Sequence, residues 1–257
     1  MSGPADRFLG AWQVVEHVFD PMSCQLVGLV HQERTLEGVT LDDGREAIRV
    51  FQRCSPDDAL RSAGHPMAAF EGEWVFDLVV DAPHRRYLGP DVVGSATQWA
   101  PGAIAGCGIW PRFGHTFESW SLLVHPERQL TGGWFHRAGR PVATIIGVAE
   151  PLGSTPGLPL EGPPSGRWSG TATAGDVTVE AVGDGPSLRI DGVDVLVGWQ
   201  GVSCRYGPML VADGWAGPTR HVRIVEIYDA SVGEVLGILT TEADGSTTTQ
   251  AVRLSRE

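Results

Sequence analysis

The densest collection of groups capable of chemistry in this chain is the run Gly108-Ile109-Trp110-Pro111-Arg112-Phe113-Gly114-His115-Thr116-Phe117-Glu118-Ser119-Trp120. If 115–124 is a β-strand, its two-residue period puts Glu118, Trp120, Leu122 and Val124 on one face and Phe117, Ser119, Ser121 and Leu123 on the other. Glu118 then shares a face with an apolar set. A carboxyl group on an inward, aromatic-lined face has its pKa raised by desolvation, which suits a general acid or base near neutral pH. The alternative is a Glu118 at a barrel mouth, paired with Arg112 or Arg137. On the next strand Leu130, Gly132, Trp134 and His136 share a face. A hairpin about His125-Pro126-Glu127-Arg128 would bring Trp120 near Trp134 and Glu118 near His136, although a histidine at a strand end is also a common surface residue. The expected site is Glu118 and His136 as an acid/base pair, with Trp110, Phe113, His115, Trp120 and Trp134 as the substrate-binding walls.

In the second half Val222, Ile224, Glu226 and Tyr228 fall on one strand face. Tyr228 is thereby a third catalytic candidate, a phenol able to donate to a substrate carbonyl, with Glu226 to orient it; a core-edge tyrosine beside a solvated glutamate fits as well. Trp199, Tyr206 and Trp215 cluster near Cys204 and are candidates to line a second cavity. His115 and Glu118 are three residues apart, a spacing that a strand sends to opposite faces, so no metal site is expected. Phosphate-binding loops, Gly-x-Gly-x-x-Gly and Gly-x-Ser-x-Gly are missing, and no cofactor is called for. The four cysteines are scattered, with no C-x-x-C pair, and read as reduced, with Cys107 a small buried thiol.

Positioning these groups requires strands. Alternation and turn residues predict them over 11–19, 25–36, 47–52, 74–80, 84–88, 115–124, 129–137 and 142–150, and then over 167–173, 177–182, 187–190, 193–199, 209–211, 221–229, 234–241 and 247–254. Asp42-Asp43-Gly44, Asp184-Gly185 and Asp244-Gly245 are hairpin signals. Helix evidence is confined to Ser55-Pro56-Asp57-Asp58-Ala59-Leu60-Arg61, with Ser55 as N-cap and Pro56 at the first helical position. Five prolines and four glycines in Pro151–Gly166 exclude helix and central strand. The organisation expected is an N-terminal barrel over 1–150, a linker over 151–166 and a smaller C-terminal barrel over 167–257. The fold class is all-β, with two antiparallel β-barrels or barrel halves in tandem and very little helix.

Two Gly-x-Trp triplets, Gly10-Ala11-Trp12 and Gly166-Arg167-Trp168, each open a predicted strand at the start of a half. On these triplets and the strand meanders that follow them, the chain resembles the lipocalin-like, or calycin, barrels. Two linked barrels also resemble the tandem lipocalin-like cyclases of natural-product pathways, some of which promote Diels–Alder type closures without a cofactor. That resemblance implies an aromatic cavity that folds a hydrophobic intermediate into a reactive shape, and it carries over no residue beyond the two triplets.

The 34 glycines and 18 prolines agree with many short strands. All 19 positive charges are arginine, and lysine and asparagine are absent, as a GC-rich, actinobacterial coding sequence would give. A net charge of −12 argues against nucleic acid and against an anionic membrane surface. No apolar run approaches the ~20 residues of a spanning helix. The first predicted strand follows the N-terminus closely enough to leave no room for a signal peptide, so a cytoplasmic location is expected. Two functions fit these walls without machinery: a cofactor-independent cyclase or isomerase, and a non-catalytic carrier of a hydrophobic small molecule. Oligomeric state is not legible.

Overall fold

A computed structural model describes residues 7–173, 175–182, 185–190, 193–194 and 196–257. The chain divides into two compact units, Met1–Gly157 and Leu158–Glu257, and the division falls within the proline- and glycine-rich stretch. Strands β1 (Gly10–Phe19), β2 (Leu26–Thr40), β3 (Glu46–Pro56), β4 (Gly72–Asp81), β5 (His84–Leu88), β6 (Val93–Ala100), β7 (Ala103–Trp110), β8 (His115–His125), β9 (Arg128–Arg137) and β10 (Arg140–Pro151) make up the first unit. Each pairs antiparallel with its chain neighbours, and β10 pairs back onto β1 to close a ten-stranded antiparallel barrel.

Alternation along β1 shows how the sequence produces this. Val14 and Val18 are fully buried, while Gln13, Val15 and His17 between them are only half-buried. The period of two thus aims one set at the barrel interior. Two strands of the barrel escape sequence reading, β6 (Val-Gly-Ser-Ala-Thr-Gln-Trp-Ala) and β7 (Ala-Ile-Ala-Gly-Cys-Gly-Ile-Trp). Both are rich in small residues of low β propensity, and their ladders with β5 and β8 hold them extended.

The hairpin signals at Asp43-Gly44 and Asp244-Gly245 are met, the second by a turn in which both residues have positive φ, at 50° and 75°. Asp184 lies outside the described residues. The predicted helix forms one residue pair later than expected, as α1 (Asp58–Ser62) with Asp57 as N-cap, because β3 continues through Ser55 and Pro56. One oxygen of Asp57 accepts from Leu60 N at 3.0 Å and the other from Leu29 N at 2.8 Å, which fastens the helix to β2. Gly28 makes room for this contact, since a Cβ there would lie 2.6 Å from Leu60 Cγ. A 3₁₀ segment, Pro66–Phe70, follows and contributes Met67 and Phe70 to the barrel core.

The two Gly-x-Trp triplets have a third counterpart inside the barrel, Gly72-Glu73-Trp74. The three glycines share φ values of 129°, 136° and 139°, accessible to residues without a Cβ. In each case the indole Nε1 donates to the carbonyl four residues earlier: Trp12 to Phe8 at 3.1 Å, Trp74 to Phe70 at 3.1 Å and Trp168 to Pro164 at 3.4 Å. The motif therefore folds the incoming chain beneath the ring and satisfies the one polar atom of a buried indole.

In the second unit the strands are β11 (Gly166–Ala172), β12 (Gly175–Val182), β13 (Gly185–Ile190), β14 (Val193–Asp194), β15 (Trp199–Tyr206), β16 (Met209–Ala216), β17 (Arg220–Asp229), β18 (Glu234–Ala243) and β19 (Ser246–Arg256). They form one antiparallel sheet in the order β14-β13-β12-β11-β19-β18-β17-β16-β15. Its core gathers Trp168, Val222, Ile224, Val235, Leu239 and Leu254. Strand β15 (Trp-Gln-Gly-Val-Ser-Cys-Arg-Tyr) lies between the expected strands 193–199 and 209–211 and is held extended by its ladder with β16.

Substitution of Gly72 by alanine should therefore cost about 1–3 kcal/mol of stability, the cost of holding a Cβ-bearing residue in that backbone region. Urea unfolding monitored by tryptophan fluorescence measures it. A variant as stable as the parent would show that the indole anchor does not depend on the glycine.

Candidate functional site

The inner face of the barrel can be followed strand by strand from the pairing register. One row runs Trp12, Arg34, Gln52, Trp74. A second runs Glu16, Gly147, Thr131, Ser121, Ile104. A third runs Arg85, Ala96, Gly106, Ser119, Gly133, Ile145. Large side chains crowd β3 and β4, whereas β6, β7, β9 and β10 present Ala96, Gly106, Gly133 and Gly147 to the same interior. This imbalance leaves a cavity of about 180 Å³.

One part of the cavity wall is aromatic: Phe70, Phe76, Trp110, Phe117 and Phe135. Trp110 and Phe76 meet edge to face at 5.9 Å, and Phe70 meets Trp110 the same way at 5.7 Å, so the rings brace one another. Aliphatic side chains such as Val50, Met67 and Leu78 continue the apolar surface, and another part of the wall is polar. Glu16, 9 % exposed, accepts from Gln32 Nε2 at 2.6 Å, and Gln32 Oε1 accepts from Arg34 Nη2 at 2.7 Å. Arg34 also stands 3.8 Å from the Glu16 carboxylate. Burial raises the pKa of Glu16, and the Arg34 charge and the Gln32 hydrogen bond offset only part of that effect. Burial likewise pushes the Cys54 thiol up to about 12, so it lines the cavity as a neutral group. Arg85, 3 % exposed, donates to Gln98 Oε1 at 2.7 Å. Tyr87 lies beside it and is bonded to Ser119.

Only part of the expected site is found here. Trp110 lines the cavity, whereas Trp120 borders it from a position in phase with Glu118 on the outer face of β8. Trp120 lies against Gly132, where a Cβ would come within 2.2 Å of its ring. Phe113 packs between Phe70, at 4.4 Å, and Trp74, at 5.2 Å, outside the cavity wall. His115 is buried 5.6 Å from Phe70, and burial together with the nearby Arg137 charge lowers its pKa. Glu118, Trp134 and His136 form no part of the lining. Glu118 pairs with Trp134 and Thr116 with His136, on the strand face opposite to Phe117, Ser119 and Phe135. The expectation that Glu118 points inward is thus reversed. Period two separates the two faces correctly, but Leu122 and Val124 mark a buried outer face, while Ser119 and Ser121 face a cavity.

Tyr228 belongs to the second unit, where its ring meets Trp168 edge to face at 5.8 Å. Trp215 is exposed and packs on His221 at 5.2 Å, away from the buried Tyr206. Cys107 is exposed rather than buried, because it alternates with the inward Gly106 and Gly108. The cavity residues that sequence reasoning passed over, Glu16, Gln32, Arg34 and Arg85, carried one usable signal: polar side chains in phase with the apolar positions of their own strands. Among the described residues no three metal-ligating side chains converge, and no helix is long and apolar enough to cross a membrane.

No family model matches the chain, and no curated protein matches its sequence. Among solved structures, the chain is similar over its whole length to a protein of unknown function of the DUF3598 family from Nostoc punctiforme, with 13% identity, full coverage of both chains and a TM-score of 0.59. An S-type phycobiliprotein lyase from Guillardia theta matches 58% of this chain and 91% of its own, at 16% identity and a TM-score of 0.44. At these identities the likeness is one of fold.

Glu226 on β17 is the second unit's counterpart of Glu16. It shares a face with Tyr228, and burial, opposed by the charge of Arg205, raises its pKa from 4.5 to about 7. A carboxyl group with a raised folded-state pKa contributes stability that is present below its unfolded pKa and lost as pH rises through the folded value. Between pH 4.5 and about 7, wild type should therefore lose up to about 3 kcal/mol that Glu226→Gln does not lose. Denaturant midpoints of the two proteins measured at pH 5 and pH 8 test this: parallel pH profiles would show that Glu226 is solvated.

Proposed function

We propose that this protein binds a hydrophobic small molecule inside the barrel of its first unit. The observation that carries this reading is the cavity of about 180 Å³ behind a closed ladder, with braced aromatic rings on one part of its wall. A concave, mostly apolar pocket with a few fixed polar groups is the usual form of a small-molecule site. Its size is slightly above the ~150 Å³ cavity that accepts a benzene ring, so a compact occupant is indicated.

A second reading, cofactor-independent isomerisation or cyclisation of a natural-product intermediate, is supported by Glu16. It is a buried carboxyl group in the cavity wall whose pKa burial raises, the direction that favours a general acid or base. On this placement Glu16 is the acid/base the cavity offers. Roles for Glu118 and His136 would serve a molecule on the outer face of β8 and β9, and a role for Tyr228 a molecule at the second unit.

Cinnamyl alcohol, a neutral compact aromatic, serves as a probe of the first reading. It should bind the wild-type protein in calorimetry, and Ala96→Phe, which places a ring beside Gly106 within the cavity, should weaken it by about tenfold or more. Equal binding by both proteins would move the site out of the barrel. For the second reading, incubation with a cell extract followed by native mass spectrometry should return a bound molecule of unchanged mass and altered retention. Glu16→Gln should abolish the alteration; an alteration that survives it removes Glu16 from the chemistry.

A further inference from the structure

The polar wall of the cavity is unbalanced. Two guanidinium groups, Arg34 and Arg85, face one carboxyl group, Glu16, and that carboxyl lies 3.8 Å from Arg34. Arg85 has no carboxylate within ion-pair distance among the described residues, and the side-chain group it meets is the neutral amide oxygen of Gln98, at 2.7 Å. Arginine does not deprotonate in proteins, so its charge stays in the barrel, and an uncompensated buried charge is costly. Hydrogen-bond donors are in surplus as well. Arg34 Nε and Gln129 Nε2 are buried without partners, and both residues line the cavity. The charges converge: the Tyr87 hydroxyl, hydrogen-bonded to Ser119, feels both Arg34 and Arg85.

The small residues in the Arg85 row account for the space in front of it. Ala96, Gly106 and Gly133 put almost no side chain between the guanidinium and the cavity. Beyond Tyr87 the wall turns aromatic: Phe76 and Phe117 meet its ring at 5.9 and 5.6 Å, and Trp110 packs on both. An occupant that satisfies both walls supplies oxygen acceptors and one negative charge at one end and a flat apolar body at the other.

Resting on the small-molecule reading above, we infer that the cavity takes a compact aromatic carboxylic acid, its carboxylate seated on Arg85 beside Tyr87 and its ring against Trp110 and Phe117. With Glu16 ionised opposite Arg34, a monoanion matches the guanidinium left over on Arg85, whereas a dianionic phosphate would carry a surplus charge into the buried interior. Carboxylate and guanidinium also match in their paired, planar hydrogen-bonding geometry, and charge-assisted bonds of this kind are the strong ones.

The test compares trans-cinnamate with cinnamyl alcohol, which differ in the charged end and share the ring, by calorimetry on the full-length protein. Wild type should bind cinnamate about tenfold or more tightly than the alcohol, and in Arg85→Met the ratio of the two affinities should fall to about one. Wild type binding the alcohol as tightly as cinnamate would overturn the carboxylate inference and leave the apolar site standing. Cinnamate preferred equally by wild type and Arg85→Met would place the anion away from Arg85 and overturn it also. Neither probe binding would remove the small-molecule reading itself, and this inference with it. Should Arg85→Met fail to fold, the wild-type ratio decides alone.

Discussion

Pairing of Trp12–Phe19 on β1 with Thr144–Pro151 on β10 closes the first unit, and most of the site follows from that ladder. Closure removes sheet edges, so the barrel backbone is satisfied within itself. It also commits every second residue of ten strands to one shared interior. A residue placed there is buried whatever its chemistry. Glu16, Gln32, Arg34 and Arg85 are held among aromatic rings because they occupy inner-face positions of a closed sheet.

Inside that enclosure volume decides what remains empty. Large inner residues on β3 and β4, such as Val50, Trp74 and Phe76, fill their half, while Ala96, Gly106, Gly133 and Gly147 leave the other half open. A close-packed interior would close such a gap if its walls were free to move. Here the rings of Phe70, Trp74, Phe76, Trp110 and Phe117 brace one another at centroid distances of 5.7–6.3 Å, and the ladders fix the strands behind them. Two indole anchors, Trp12 and Trp74, add to this frame, since each Gly-x-Trp ties a strand start to the carbonyl four residues before it.

The polar part of the cavity has an internal order. Gln32 sits between Glu16 and Arg34 as a relay, donating to one and accepting from the other, so that trio is largely satisfied. Among the described residues Arg85 donates to the Gln98 amide and meets no carboxylate, and the row of residues in front of it has little reach. The two arginines are therefore not equivalent: one is part of a network and the other faces open space.

Fold class was legible in the sequence because alternation and turn chemistry are local. Val14-x-Glu16-x-Val18 reads as a strand in any context, and Asp244-Gly245 reads as a tight turn because of its backbone preferences. Composition likewise showed an acidic chain without a basic footprint. What the sequence could not decide was anything that depends on which face becomes the inside. Glu118 and Trp120 share a face in the sequence and in the structure, yet only the pairing of β8 with β7 and β9 shows that this face is the outer one. Five triplets match Gly-x-Trp by letter, those beginning at Gly10, Gly72, Gly108, Gly132 and Gly166. Three are anchors, because only there does the glycine adopt a positive φ at a strand start; Gly108 and Gly132 lie within strands, where the ladder holds them extended. Strands β6 and β7 were invisible for the same reason that they matter. Their small residues have little intrinsic preference for a strand, and only closure of the barrel both extends them and turns their missing side chains into a cavity.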